Sequence, residues 1–518
     1  MADLLSMKIS RHYITINNSQ GSRRVHYRVC GSGPALLMIH QSPRSGAEYE
    51  RLMLEWGKEF TCIAPDSPGY GNSGPLNHPD PKLADFADGV AEFMDAIGLK
   101  QAGGYGFHSG GAIAMNLHVR YPGRLSMLVS GGYPIWSDEE KAMFASSYLP
   151  RFLPQVYGDH LTWLWGRMLE QSWFFPWFDR RHTSRMTVAH QDPTKAAPGI
   201  AEVLDAGDNY RFGYNAVLQA DSDIPPADTK CAPVHISTYK ADPLAKQLGR
   251  LPQLPEGWSF ALAENPPEFE AWAIGKLREN VAPAPGVLNE DSAAGFIAVK
   301  TSKFDGLIHW NGPQDATTLS LHGPGRALEL LPADGSLRID LPGHGLSSDI
   351  SAGASLAEWV EIISQAVTSF SKLTCVSGEG ISALLALALS ATEKFECVCA
   401  TNAHIPVDSE KWISEVPDFT PDRFGAYLTR AWRIVRAGRY FWPWFDVKDS
   451  NGITFEPADE TPESMALEHR ALLRCRAHLP LTEVLLRADR GTLLKGAAQI
   501  DRWEIAPWAK DRTDLWRP

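Results

Sequence analysis

The chain has 518 residues, of which 44% are hydrophobic and 21% are charged, a balance typical of ordinary soluble globular proteins. At about 100–200 residues per domain, this length predicts two to four domains. The net charge of −12 and the lack of any Lys/Arg run argue against nucleic acid or an anionic membrane as a partner. The composition excludes collagens, coiled coils and disulfide-rich miniproteins, and it leaves a small-molecule substrate open.

Motifs for metals and for export are missing from the sequence. The seven cysteines form no Cys-x-x-Cys pair, and no spacing of His, Cys, Asp and Glu indicates a metal site. No apolar stretch reaches about 18 residues, and no basic start precedes a long apolar region. We therefore expect a cytoplasmic protein with reduced cysteines, no metal and no membrane span.

Short apolar runs alternate with helical patterns in the first half of the chain. Residues 35–39, 60–64, 102–107 and 125–130 are apolar runs, bounded mostly by turn-forming residues. Within 83–97, apolar residues recur at steps of three and four, which is typical of one face of a helix. This alternation predicts an α/β fold with a mostly parallel sheet and helices on both faces.

The second half of the chain repeats the first. The segment from Gly158 to Asp179 recurs from Gly425 to Asp446 at a constant offset (425 − 158 = 267), with matching Gly, Leu, Thr and Trp and an aromatic-Pro-Trp-Phe-Asp end. A Pro-containing linker at 281–294 separates the halves. These matches indicate an internal duplication.

Three motifs resemble the α/β-hydrolase superfamily. They are His40-Gln-Ser-Pro after the first apolar run, Asp66-Ser-Pro-Gly-Tyr-Gly after the next, and Gly106-Phe-His-Ser-Gly-Gly at a predicted strand-to-helix turn. The resemblance covers most of both halves. It implies two tandem α/β-hydrolase-like domains, each with an inserted helical cap, and it implies no organic cofactor.

The resemblance also sets the predicted domain boundaries. We expect an active domain at 1–280 with its cap at about 137–225, and a degenerate domain at 295–518 with its cap at about 403–480. The expected partner is a small-molecule substrate. The two halves are expected to form an intrachain pseudo-dimer, and a homo-oligomer is left open.

The strand-to-helix turn carries an unusual residue. The superfamily places small residues two positions before and two after its nucleophile. With His108 at the tip these flanks are Gly106 and Gly110, whereas Ser109 at the tip would put Phe107 in a flank. We therefore place His108 at the nucleophile position, where the superfamily usually has Ser, Cys or Asp. The alternative is Ser109 acting with a histidine of the following insertion, namely His160, His182 or His190.

The resemblance places the catalytic acid after the next-to-last strand of the sheet, and Asp242 has this position. No histidine follows the last predicted strand, 258–263, where the superfamily has its base. Our hypothesis is that His108 and Asp242 form a base–carboxylate dyad, with His108 as general base or nucleophile. The backbone N–H groups of Gln41 and Ser109 would form the oxyanion hole. A relic turn without chemistry is the alternative.

Three further residues are candidates for substrate binding. Arg44 either grips a substrate carboxylate or ties its loop to Asp66 or a neighbouring residue. Trp163 is favoured for an aromatic pocket, because its counterpart in the repeat is Arg430. His40 is assigned to the same substrate site.

The second half is expected to be a structural copy. Its predicted tip residue is Glu379, and its predicted acid is Asp489, at the end of a predicted strand at 484–489. Two facing carboxylates without a base would make poor hydrolytic machinery. A carboxylate nucleophile at Glu379, as the superfamily's dehalogenases and epoxide hydrolases use Asp, is the alternative.

The combined interpretation is an enzyme acting on a small apolar or aromatic carbonyl compound. Its reaction would be hydrolysis, or base-driven cleavage of a C–C or C–X bond, through His108 and Asp242. The alternative is a non-catalytic binding or scaffold protein built from two degenerate hydrolase folds.

Overall fold

The structure is a computed structural model that describes residues 7–186, 192–392, 394–454, 456, 461–510 and 512–518. The chain divides into two compact units. The first unit comprises Met1–Leu153 and Trp163–Asp291, and the second comprises Pro154–Thr162 and Ser292–Pro518. The predicted boundaries did not foresee that nine residues of the first half belong to the second unit.

The described part of the first unit contains one eight-stranded sheet. Its strands are β1 (Ser10–Asn18), β2 (Gly21–Cys30), β3 (Ala35–Ile39), β4 (Thr61–Pro65), β5 (Ala102–Phe107), β6 (Leu125–Gly131), β7 (Val234–Tyr239) and β8 (Ser259–Ala263). They lie in the order β1-β2-β4-β3-β5-β6-β7-β8, and all neighbours from β4 to β8 are parallel. Every residue of β3 and β4 is buried, as expected for parallel strands covered on both faces.

Helices cover both faces of this sheet and also form an insertion. The covering helices are α1 (Glu50–Trp56), α2 (Leu83–Ala96), α3 (Ser109–Arg120) and α8 (Pro266–Leu277). The helices between β6 and β7 are α4 (Asp138–Ser147), α5 (Asp159–Trp173), α6 (Pro193–Ala206) and α7 (Tyr210–Leu218). Two apolar clusters form the core of the unit.

The described part of the second unit contains a seven-stranded sheet and a two-stranded one. The strands are β9 (Ala294–Lys300), β10 (Asp305–Asn311), β11 (Thr318–Leu321), β12 (Leu337–Ile339), β13 (Cys375–Glu379), β14 (Cys397–Ala403), β15 (Ile405–Pro406), β16 (Gln499–Ile505) and β17 (Leu515–Trp516). The helices are α9 (Leu356–Ala366), α10 (Ala383–Ser390), α11 (Ser409–Ser414), α12 (Ala426–Gly438), α13 (Pro462–Leu473), α14 (His478–Leu486) and α15 (Arg490–Gly496). The predicted α/β class with two mostly parallel sheets is confirmed.

The two large sheets follow the same order. The second runs β9-β10-β12-β11-β13-β14-β16, which matches β1 to β7 of the first strand by strand. The sequence repeat also has the same backbone pairing in both units. An antiparallel bridge joins Phe174 to Arg185, and another joins Phe441 to Gly452, at the same offset of 267.

One predicted strand of the second half is wrong. Residues 484–489 were predicted to form the strand that carries the catalytic acid, but 484–486 are the last residues of α14. The run Val-Leu-Leu is too short to show whether its period is that of a strand or of a buried helix. The strand beside β14 is instead β16, at 499–505.

Candidate active site

His108 stands at the junction of β5 and α3 in a conformation that side chains rarely adopt. Its φ is 48° and its ψ is −115°. A Cβ at Gly106 would lie 2.5 Å from the carbonyl oxygen of Gly110, and a Cβ at Gly110 would lie 1.9 Å from that of Ile39. Only glycine fits at these two positions, because the helix starts directly against the strand ends. Ser109 is the first residue of α3 and not the residue in the strained conformation.

The imidazole of His108 contacts the carboxylate of Asp242, which follows β7. Nε2 of His108 lies 2.8 Å from Oδ2 of Asp242, and the backbone N–H of Leu244 donates to Oδ1 over 2.6 Å. The Asp242 side chain is fully buried, whereas that of His108 is 24% exposed. Burial acts to raise the pKa of Asp242, but the adjacent imidazole and the two hydrogen bonds together hold it below its ordinary value.

The His108 ring borders a cavity of about 290 Å³ in the first unit. Aromatic and cationic side chains line it, namely Phe107, Tyr148, Phe175, Tyr214, Tyr239, Arg44 and Lys195. A smaller cavity of about 50 Å³ shares His108, Ser42, Tyr148, Phe175 and Tyr214 with it. Phe175 belongs to the repeated aromatic segment, whereas Tyr148, Tyr214 and Lys195 were missed by the sequence reasoning, because no short motif marks them.

The hydroxyl of Ser109 is held by Ser42. Its oxygen accepts from the backbone N–H of Ser42 over 2.6 Å and lies 3.1 Å from that residue's hydroxyl oxygen, to which it donates. Ser42 in turn donates to the hydroxyl of Tyr70 over 3.0 Å. Ser109 is buried, and its hydroxyl forms no hydrogen bond with a histidine among the described residues.

Of the three histidines proposed as partners of Ser109, the two that the structure describes do not assemble with it. His182 is exposed in a short helical turn. His160 belongs to the second unit, where its ring lies 4.8 Å from that of Trp432. His190 lies outside the described residues.

The predicted oxyanion hole needs a correction at Gln41. The backbone N–H of Gln41 donates to the carboxylate of Glu48 over 3.1 Å, and its side-chain amide donates to the same carboxylate. The Gln41 N–H is therefore occupied by a residue seven positions away. The backbone N–H of Ser109, at the first position of α3, has no acceptor among the described residues, so it can face a developing negative charge.

Arg44 pairs with Glu202 of α6 through its Nε. The suggested tie between Arg44 and Asp66 is wrong, because Asp66 is held by Arg28 and His26, each over 2.9 Å. Glu202 also accepts from the hydroxyl and the backbone N–H of Ser45. The terminal nitrogens of Arg44 have no acceptor within the described residues, and the side chain lines the cavity.

His40 and Trp163 do not belong to the cavity. His40 is 1% exposed; its Nδ1 lies 3.0 Å from the carbonyl of Gln41, and its Nε2 accepts from the N–H of Ser67 over 2.8 Å. Burial lowers the pKa of His40 to about 4, so it is a neutral structural residue. Trp163 packs on Phe152, at 5.9 Å between ring centroids, and lines neither cavity. Assigning these two residues to substrate binding is wrong.

In the second unit, the residue at the corresponding turn is Gly380 and not Glu379. Gly380 follows β13 and has a φ of 61°, close to the 48° of His108 after β5. Glu379 is the last residue of β13, has an extended backbone and corresponds to Phe107. The prediction that Glu379 is the tip residue is therefore wrong by one position.

The flanking residues agree with this register. A Cβ at Gly378 would lie 2.2 Å from the carbonyl oxygen of Ser382, just as one at Gly106 approaches Gly110. In the Glu379 register the second flank is Ile381, which is too large for such a turn, whereas in the Gly380 register both flanks, Gly378 and Ser382, are small. Asp489 is likewise not a catalytic acid, because it is exposed and caps the N-terminus of α15.

The described residues contain neither a metal-binding cluster nor a membrane-spanning helix. In that part of the chain, no group of three or more His, Cys, Asp or Glu side chains could hold a metal ion. No helix there is both long and apolar enough to cross a membrane.

Part of the first unit matches a known protein family. Residues 34–253 match the family described as alpha/beta hydrolase fold. The matched segment runs from just before β3 to beyond β7, so it includes His108 and Asp242.

Several curated proteins are similar to part of the chain. Haloalkane dehalogenase 2 of Mycobacterium tuberculosis is 30% identical over 134 residues, which are 26% of this chain and 47% of that protein. Soluble epoxide hydrolase of Corynebacterium sp. is 32% identical over 111 residues, 21% of this chain and 37% of that protein. The 2-hydroxy-6-oxo-6-phenylhexa-2,4-dienoate hydrolase of Burkholderia cepacia is 29% identical over 133 residues, which are 25% of this chain and 46% of that protein. The chain spans less than half the length of each of these relatives.

Proposed function

Because residues 34–253 match the alpha/beta hydrolase fold, we propose that the first unit is an enzyme that cleaves a small carbonyl compound. His108 acts as its general base, and Asp242 orients the imidazole. One observation carries this proposal: Nε2 of His108 lies 2.8 Å from Asp242, and the same ring borders a cavity of about 290 Å³. A group that is both oriented and reachable has what general-base catalysis needs.

The protonation of the dyad follows from the lowered pKa of Asp242. At neutral pH that carboxylate is ionised and can only accept, so Nε2 of His108 carries the proton of their hydrogen bond. In the neutral imidazole, Nδ1 then keeps its lone pair, and none of the described residues donates to it. Nδ1 is therefore the basic nitrogen.

The reaction takes its steps from this arrangement. Nδ1 removes a proton from water while the water oxygen bonds to the carbonyl carbon, and the carbonyl π electrons move to oxygen. The resulting oxyanion is stabilised by the Ser109 N–H at the start of α3. The bond to the leaving group then breaks, and the imidazolium returns the proton to that group, which is an alcohol or a carbon stabilised as an enolate.

The lining of the cavity indicates the class of substrate. The aromatic side chains of Phe107, Phe175 and Tyr214 favour an apolar or aromatic arm. Arg44 and Lys195 favour a carboxylate elsewhere on the same molecule. The relative named for 2-hydroxy-6-oxo-6-phenylhexa-2,4-dienoate has a substrate of this chemistry in its name.

We further propose that the units arose by duplication and that the second one does not hydrolyse. The shared strand order and the paired bridges at an offset of 267 support the duplication. The turn of the second unit has Gly380 where the first has His108, so no side chain projects from its tip.

Two probes test the function. The purified chain is assayed with 4-nitrophenyl benzoate, an ester, and with 2-hydroxy-6-oxo-6-phenylhexa-2,4-dienoate, which requires C–C cleavage. We expect turnover of at least one probe. If neither probe is turned over, the non-catalytic binding alternative is favoured.

Substitutions assign the roles. We expect His108→Ala to lower kcat/KM by about 100-fold or more, and Asp242→Asn to lower it by about 10-fold or more. Ser109→Ala keeps the backbone N–H, so it should lower kcat/KM less than about tenfold. Full activity of His108→Ala would overturn the mechanism, and a larger loss in Ser109→Ala than in His108→Ala would reassign the nucleophile to Ser109.

A further inference from the structure

The second unit contains a cavity that is larger than the two described in the first unit. Its volume is about 510 Å³, and it lies at the ends of β11, β13, β14 and β16. Its lining includes the loop at 323–326, Glu379, His404 and four tryptophans. This cavity has no part in the reaction proposed for the first unit.

Indole rings that pack against one another form one wall of the cavity. The Trp442 ring centroid lies 4.9 Å from that of Trp412 and 4.7 Å from that of Trp508, with interplanar angles of 30° and 34°. The indole N–H groups of these three residues have no acceptor among the described residues, yet none of them is sealed from solvent. The wall therefore offers flat aromatic surface together with hydrogen-bond donors.

Arg326 supplies a cation at the same cavity. Its Nε donates to Glu379 over 2.9 Å, and its terminal nitrogens have no acceptor among the described residues. Arg44 is held by Glu202 in the same way in the first unit. The other arginine of the lining, Arg439, pairs with Glu468 over 2.8 Å. A guanidinium fixed at Nε, with its other nitrogens open, suits a carboxylate.

His404 fills the place above the glycine at the turn. A Cβ at Gly380 would lie 2.7 Å from Cε1 of His404, so the imidazole packs directly on that residue. In the first unit the relation is reversed, because a Cβ at Gly132 would lie 2.3 Å from Cδ2 of His108. Nδ1 of His404 lies 2.6 Å from the carbonyl oxygen of Asn402, and no carboxylate of the described chain bonds to the ring. The second cavity thus has an imidazole but no dyad.

We propose that this cavity is a second ligand site, which binds a planar aromatic carboxylate without cleaving it. The ring of the ligand packs on the indole wall, and its carboxylate binds Arg326. Neither step depends on the chemistry of the first unit.

The test is the equilibrium binding of 2-naphthoate to the full chain, measured by isothermal titration calorimetry. Arg44→Gln is used as the background, because the first cavity can also take an aromatic carboxylate. We expect about one molecule bound per chain in that background. Arg326→Gln and Trp508→Leu, each added to this background, should raise the dissociation constant about tenfold or more. Circular dichroism identifies variants that fail to fold, and two separate substitutions keep the test valid if one of them does.

The neutral probe 2-naphthamide has the same rings without the charge, and we expect it to bind at least tenfold more weakly. Equal affinity for amide and acid would overturn the carboxylate assignment. Binding that disappears with Arg44→Gln alone, or that ignores both Arg326→Gln and Trp508→Leu, would overturn the second site. Neither result would affect the assays of the first unit.

Discussion

At the scale of single residues, one backbone position decides what each turn can do. The strained conformation is occupied by His108 in the first unit and by Gly380 in the second. The spacing of small residues was sufficient to choose His108 over Ser109 from sequence. In the second unit the same spacing favours Gly380 over Glu379, because Gly378 and Ser382 are both small whereas Glu379 has Ile381 as its second flank. The carboxylate of Glu48 on the Gln41 N–H was unpredictable, because side-chain direction does not follow from spacing.

The glycines that flank His108 make a prediction about stability. Gly110→Ala would place a Cβ 1.9 Å from the Ile39 carbonyl oxygen and should lower the free energy of unfolding by about 3 kcal/mol. Gly275→Ala is the matched control. It lies within α8 with nothing near its Cβ position, so it should be neutral or stabilising by about 0.5–1 kcal/mol. Urea unfolding measures both, and equal effects would contradict the tight strand-to-helix contact.

Asp242 predicts a dependence on pH. Its pKa is lower in the folded protein than its ordinary value, so the ionised carboxylate stabilises the fold at neutral pH. That contribution is lost as the pH falls below the ordinary aspartate value of about 3.9. We expect Asp242→Asn to cost about 1–3 kcal/mol at pH 7 and less at pH 3. Unfolding at both pH values measures this difference, and a cost that grows on acidification would contradict it.

At the scale of elements, strands were more predictable than the contacts at their ends. The apolar runs at 35–39 and 102–107 coincide with β3 and β5, because a strand covered on both faces is apolar throughout. The run at 484–486 has the same composition but ends a helix. Trp163 was placed in the pocket because its counterpart is Arg430. A difference between repeats does not show which way a helical side chain faces.

The loops after β4 and β12 are each held by a buried aspartate. Asp340 lies 2.7 Å from Nδ1 of His309 and accepts from the N–H groups of Leu328 and Leu346, each over 2.8 Å. Burial acts to raise its pKa, but these bonds lower it to about 2. Asp66, paired with His26, is its counterpart in the first unit.

This pKa makes Asp340 a stabilising group at neutral pH. Its contribution of about 2 kcal/mol should be complete above pH 4 and should disappear as the pH falls toward 2. Asp340→Asn should therefore destabilise the second unit at pH 7 but have little effect near pH 2. Hydrogen exchange of β11 and β13 at the two pH values reports on that unit, and a loss that is independent of pH would contradict the assignment.

At the scale of the whole molecule, duplication was visible in the sequence but the division of the chain was not. The repeat at an offset of 267 can be recognised in the amino-acid sequence because it contains aromatic residues, which are rare. By contrast, the amino-acid sequence of residues 154–162 contains no signal that they belong to the second unit. Their contacts there are with residues far along the chain: Trp432 and Arg436 both donate to the carbonyl of Val156 over 3.0 Å.

A pair of glycines tests this division. Gly158 has a φ of 82°, and a Cβ there would lie 2.9 Å from Cδ1 of Trp432. Gly158→Ala should cost about 1–2 kcal/mol and reduce the hydrogen-exchange protection of β14 in the second unit. Gly207 has a φ of 54° and no close neighbour, so Gly207→Ala should reduce the hydrogen-exchange protection of β6 in the first unit. If Gly158→Ala affected β6 instead, residues 154–162 would belong to the first unit.

The nine residues at 154–162 also matter during synthesis. They leave the ribosome long before residues 292–518, with which they form one unit. At roughly 5–20 residues per second, the nascent chain holds Val156 and Tyr157 without Trp432 and Arg436 on the order of tens of seconds. Tyr157 is 75% exposed even in the finished fold. Until Trp432 and Arg436 emerge, the carbonyl of Val156 therefore lacks the two donors that it has in the finished fold.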